Sequence, residues 1–222
     1  MATARARGLS QDPIPCPVDA PAVLVSDSFC ELVELIASPA PNPGAGATAA
    51  LVTTLAAALM VKVSRPSIGA WPEAGAVVAQ AERLRQRAAP MAEANAQAYE
   101  RARGALTAVS DPHDANPAGA GSPVPASDLG ASLDEAAAVP LRIAEVAADI
   151  VELATTAAGH AQYDMRPDAL IAARLADACV SAATDLVEVN LGVTQNDERL
   201  ERARALRHQS ALRCRATGEN TG

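Results

Sequence analysis

Aromatic residues are almost missing from this sequence: one Trp, one Phe and two Tyr make up 2% of 222 residues, although half of the chain is apolar. A β-sandwich or barrel draws on alternating runs of Tyr, Phe, Ile and Thr, and no such run occurs. Cysteine is sparse as well. Cys16, Cys30, Cys179 and Cys214 stand far apart, as do His113, His160 and His208, so no spacing suits a zinc site and no metal is expected. Separated thiols fit a reducing compartment, and the expected location is cytoplasmic. After Arg5 and Arg7 come Gln, Asp and prolines instead of an apolar segment, so no signal peptide is readable. Positive charge is short too: 18 basic residues face 26 acidic ones, a net −8, which argues against a nucleic-acid partner. Arginines gather between Arg199 and Arg215, as on a solvated terminal helix. The longest uncharged run, between Glu34 and Lys62, is broken by Pro39, Pro41, Pro43 and Gly44, so no membrane span is expected.

What remains is Ala, Leu and Val. Ala is the best helix former, and small side chains let helix axes approach closely. The expected fold is therefore all-α, a bundle of about six helices around a buried Ala-rich central helix. Residues 1–25, with Pro13, Pro15, Pro17 and Pro21, read as a flexible arm, and residues 26–215 as one helical domain. Helical spacing predicts a first helix over about Asp27 to Ala37 and a central one over Ala47 to Val63, with Leu51, Leu55, Leu59 and Met60 as its apolar stripe. A pattern from Glu73 to Val109 contains Pro90, so one helix kinks there or two abut. Asp111 to Ala126 reads as a Pro/Gly loop, either a plain linker or a mobile segment. Three further helices are expected: Leu133 to Ala158, interrupted at Pro140; Pro167 to Val189; and one opened by a capping box at Thr194 and running to Arg213.

The segment Ser38-Pro39-Ala40-Pro41-Asn42-Pro43-Gly44-Ala45-Gly46-Ala47-Thr48 is a Pro/Gly turn opening onto the central helix. Such a junction leaves backbone N–H groups free to meet an anion or a carbonyl oxygen. No Lys-Ser or Lys-Thr comes after it, so it is not a Walker loop. Together with Ala49, Ala50 and Leu51 it resembles the P-x-P-G-G-G-S-x-A-A signature of the cyclodeaminase/cyclohydrolase family. That family includes the C-terminal half of formimidoyltransferase-cyclodeaminase and free-standing methenyltetrahydrofolate cyclohydrolases. Met60-Val61-Lys62-Val63-Ser64, Asn95-Ala96-Gln97-Ala98-Tyr99, Ala136-Ala137-Ala138-Val139-Pro140-Leu141, Asp168-Ala169-Leu170-Ile171-Ala172-Ala173 and Val189-Asn190-Leu191 are similar to further family motifs, in order, across residues 28–192.

The resemblance implies a helical subunit that forms a homodimer, with sites at or near the interface. It also implies a small-molecule substrate, formimino- or methenyltetrahydrofolate, and no tightly bound cofactor. Cyclodeaminases close the N5–C–N10 bridge and expel ammonia; cyclohydrolases add water to the methenyl bridge. Both need a proton shuttle beside a tetrahedral carbon. Candidate catalytic residues are Asp168, His160 and Asn95; candidate substrate-binding residues are Asn42, Gly44, Gly46, Thr48, Lys62, Arg65 and Tyr99. The sequence departs from the pattern at polar positions. The glycine loop reads Gly44-Ala45-Gly46-Ala47, without the serine, and Thr48 points roughly 100° around the helix. Asn95 stands where an aspartate is implied, and an amide is no general acid or base. His160 and Pro167 replace an asparagine and a serine, and Leu186 another asparagine. Each candidate also has a plainer reading. Asp168 complements a helix dipole, His160 is a loop histidine, Lys62 and Arg65 complement a helix end, and Tyr99 packs. Three functional readings stand: the folate reaction, a repurposed site catalysing a different cyclisation, elimination or hydrolysis, and a non-catalytic binding or assembly role.

Overall fold

A computed structural model describes residues 27–110, 126–162, 164–191 and 197–219. The proposed arm, most of the Asp111–Ala126 loop and Thr194 lie outside the described residues. The chain forms α1 (Asp27–Ala37), α2 (Ala45–Ser64), a 3-10 turn (Arg65–Ser67), α3 (Ala74–Ala88), α4 (Met91–Ser110), α5 (Ala126–Ala158), α6 (Arg166–Leu191) and α7 (Glu198–Glu219). No strand occurs among the described residues, so the chain is an all-α bundle, with seven helices where about six were expected. The extra one comes from Pro90, which sits with Ala89 in a turn and separates α3 from α4.

Helix α2 packs against α3, α4, α5 and α6, and α5 against α6 forms the most extensive pairing. Alanine makes this possible: Ala49, Ala50, Ala56 and Ala57 of α2 are buried against Ala147, Ala154, Ala172, Ala176 and Ala183 of α5 and α6, with Met60, Ile143 and Ile150 filling the wider gaps. The expected leucine stripe does not point inward. Leu51 and Leu59 are half-buried and Leu55 is 61% exposed. Branched side chains would hold neighbouring axes apart, so alanines take the inner face and the leucines the outer. α2 is long and apolar enough to cross a membrane, and 56% of that window is buried within the bundle. Replacing Ala56 with Leu should overpack this seam and cost about 1–3 kcal/mol. A lower denaturant midpoint at unchanged m-value is the expected reading.

Two more differences have local causes. α5 is not interrupted at Pro140; it runs unbroken for 33 residues. Proline lacks the N–H that would reach the carbonyl of Ala136, and Asn190 Nδ2 on α6 donates to that oxygen instead, at 2.7 Å. The terminal arginines are not simply solvated. Arg199, Arg202, Arg204, Arg207 and Arg213 pair with Asp134, Glu145, Glu188, Asp185 and Glu152 on α5 and α6. Asp197 caps α7, accepting from the Arg199 backbone N–H at 2.8 Å.

Candidate functional site

Prolines 39, 41 and 43 keep the chain out of helix until Gly44, which begins α2 without any side-chain cap. The first backbone bond of the helix is Thr48 N–H to Gly44 C=O, 3.1 Å. The amides of Ala45, Gly46 and Ala47 consequently have no partner among the described residues. Beside them lies a cavity of about 290 Å³, walled by the turn (Asn42, Gly44, Gly46), by Asn95 and Tyr99 of α4, by Pro140 of α5 and by Leu186, Val189 and Asn190 of α6. That volume is near the lower end for small-molecule sites and suits one fused ring system better than a whole extended ligand.

Gly46 is glycine because Asn95 is where its side chain would go. A Cβ there would stand 2.1 Å from Asn95 Oδ1, 2.4 Å from Cγ and 2.5 Å from Nδ2. The Asn95 amide makes no hydrogen bond among the described residues and stays available to a ligand. Asn42 is fully engaged on one side: Nδ2 donates to Glu100 Oε1 (2.8 Å) and to the Ala96 carbonyl (3.2 Å), both on α4. The Arg103 guanidinium holds the Glu100 carboxyl below its ordinary range, and the Asn42 bond adds to this. Tyr99, 46% exposed, stands at the mouth. It is the only titratable side chain in the cavity wall among the described residues.

The expected site residues fall in three places. Asn42, Gly44, Gly46, Asn95 and Tyr99 come together at the cavity. Thr48 faces away, its hydroxyl bonded to the Gly44 carbonyl, into a second, shallow apolar groove of about 480 Å³ with Ile36, Val52 and Cys179. Lys62, Arg65, His160 and Asp168 gather at the other end of α2, sixteen residues or roughly 24 Å from Gly46. There Lys62 Nζ meets Asp168 Oδ2 at 2.5 Å, Arg65 meets Glu82 at 3.1 Å, and the His160 ring stacks on buried Trp71 with centroids 4.7 Å apart. Nothing in one chain carries these four to the cavity. Glu100 and Pro140 escape sequence reading. Glu100 beside Arg103 looks like any surface i,i+3 pair, and a proline within a helical pattern looks like a break. No group of three His, Cys, Asp or Glu side chains converges on a metal position among the described residues.

Residues 28–209 match the family described as formiminotransferase-cyclodeaminase. In fold, the chain is similar to the crystal structure of formiminotetrahydrofolate cyclodeaminase from Thermotoga maritima. The TM-score is 0.68 and the identity 22%, over 86% of this chain and 96% of that one. Comparison with curated proteins finds no match.

Proposed function

Because the chain belongs to the formiminotransferase-cyclodeaminase family, we propose that its glycine-turn cavity takes a tetrahydrofolate one-carbon derivative, formimino- or methenyltetrahydrofolate, as substrate. The observation that carries this reading is the cavity itself. Free helix amides, the Asn95 amide and Tyr99 converge on a space sized for a bicyclic ring, within the matched segment. Ring closure requires N10 to attack the formimino carbon and ammonia to leave, with protons moved in both directions. Unpaired backbone amides at a helix start favour the electron-rich atoms of such a ligand, and Asn95 can orient it. Neither the backbone amides nor the Asn95 amide moves a proton at neutral pH.

The outer side of α2 is the surface on which a second copy of the chain would pack. Thr48, Val52, Leu55, Leu59 and Lys62 recur at helical spacing along the outer side of α2, and Leu55 is midway between Thr48 and Lys62. A two-fold axis through Leu55 sets two α2 helices antiparallel and lays Lys62 of the partner subunit beside Thr48. The partner's Lys62 then lies at the groove beside Thr48, on the side of the turn opposite Asn95. Helix α1, whose Ile36 lines the groove beside Thr48 and Val52 and whose Val33 and Leu35 are half-exposed, widens the same apolar face.

The assay is turnover of 5-formiminotetrahydrofolate, followed by ammonia release and by the methenyl chromophore. The wild type is expected to turn over above the buffer rate and to sediment as a dimer. Leu55→Glu is expected to halve the sedimenting mass and to remove the activity together with it. A dimer that binds the substrate without converting it would favour the non-catalytic reading. A second catalytic reading rests on one feature, a cavity wall with three asparagines and no carboxylate. It is a different cyclisation, elimination or hydrolysis on another heterocycle, and turnover of a heterocycle other than a folate by a chain inert toward both folates would favour it.

A further inference from the structure

Asn42 and Asn190 both line the cavity, and both amides are fixed in orientation by the hydrogen bonds their Nδ2 groups donate. Asn42 uses Nδ2 twice, toward Glu100 Oε1 and the Ala96 carbonyl. Glu100, held by Arg103 at 2.8 Å, is an ionised carboxylate with only acceptors to offer, so the donor end of Asn42 must face it. Asn190 uses Nδ2 on the Ala136 carbonyl, the one oxygen in α5 that Pro140 deprives of its helical donor. Turning that amide over would set two oxygens against each other and leave a carbonyl unsatisfied within the bundle. In both residues Oδ1 is left with no partner among the described residues.

We infer that the cavity recognises the N–H donors of its ligand through the two locked carbonyl oxygens of Asn42 and Asn190, with Glu100 and Pro140 as the positioning residues that set this polarity. The ligand class is then a planar heterocycle carrying an amine or amidine edge. This deepens the folate reading and rests on the cavity being the ligand site. A pteridine with a 2-amino group presents that edge. A pteridine without the amine loses a donor and leaves an oxygen unpaired, and sites built on hydrogen bonds discriminate strongly against such analogues.

The test titrates the full chain with 2-amino-4-oxopteridine and with 4-oxopteridine, which lacks the amine. The wild type should prefer the amine by about tenfold or more. Glu100→Ala leaves Asn42 with the Ala96 carbonyl alone and loosens it, and Pro140→Ala restores the helical donor to Ala136 and frees Asn190. Each should bring the ratio toward one, and Glu100→Gln should lower it too, because an amide that can donate as well as accept no longer dictates which end of Asn42 faces it. Side-chain amide signals of Asn42 and Asn190 in ¹⁵N spectra should be protected from exchange in the wild type and released in the corresponding variant, in spectra that otherwise report an unchanged fold. Equal affinity for the two pteridines, binding of neither, or a ratio indifferent to both alanine variants would overturn the inference. A chain that prefers the amine but neither binds nor converts a tetrahydrofolate keeps this inference and loses the folate reading. A chain that converts formiminotetrahydrofolate yet binds both pteridines equally does the reverse.

Discussion

Asn95→Asp is expected to raise turnover of 5-formiminotetrahydrofolate on the order of 100-fold. Position 95 projects from α4 directly over Gly46 and into the cavity, where the resemblance to the family implies an aspartate. A carboxylate and an amide have nearly the same shape, so the exchange changes the chemistry of the wall and little else. General acid–base catalysis by a positioned group contributes about 10²–10⁴-fold, and Asn95 supplies none of it. The gain should lie in kcat, with KM moving by less than about threefold, because the amide already contributes its hydrogen bond. The pH profile carries a sign. A general base works when ionised, so the rate of the variant should climb with pH through the titration of the added carboxyl. An unaltered kcat in a well-folded Asn95→Asp protein would show that position 95 is not where protons are needed.

Gly46→Val is the counterpart with a large loss. Even a single Cβ at this position overlaps all three outer atoms of Asn95, and valine adds two methyl groups in the same direction. Asn95 must swing out of the cavity, and the added methyls occupy part of the 290 Å³. Ligand affinity should fall by about 100-fold, since steric exclusion and the loss of the Asn95 contact act together. Stability should change less. Position 46 is in the first turn of α2, and the displaced neighbour is a short polar side chain rather than core. Gly46→Ala combined with Asn95→Gly removes the overlap and should restore thermal stability without restoring affinity. The paired result separates a blocked site from a damaged fold.

Much of the bundle was legible because its signals are local. Apolar residues at helical spacing gave α1 its bounds, and the Pro/Gly turn marked the start of α2 to within two residues. Pro140 misled for a tertiary reason. The donor that compensates for it sits 50 residues away, on α6. The leucine stripe of α2 misled for another reason. Periodicity identifies an apolar face but does not say whether the bundle or a second subunit covers it, and here the alanines turned inward. The site was half legible. Motif order placed Asn42, Gly44, Gly46, Asn95 and Tyr99 together, as the structure does. The same order placed Asp168 and His160 with them, although more than four turns of α2 intervene. Glu100 left no trace in the sequence because its role is to hold another side chain.

Calorimetric titration of the wild type and Gly46→Val with 5-formimino- and methenyltetrahydrofolate tests the assignment of the glycine-turn cavity most directly. Saturable heat with at least one folate in the wild type, reduced about 100-fold in affinity by the valine, is the expected result. No heat at millimolar ligand, or equal heat in both proteins, would contradict it.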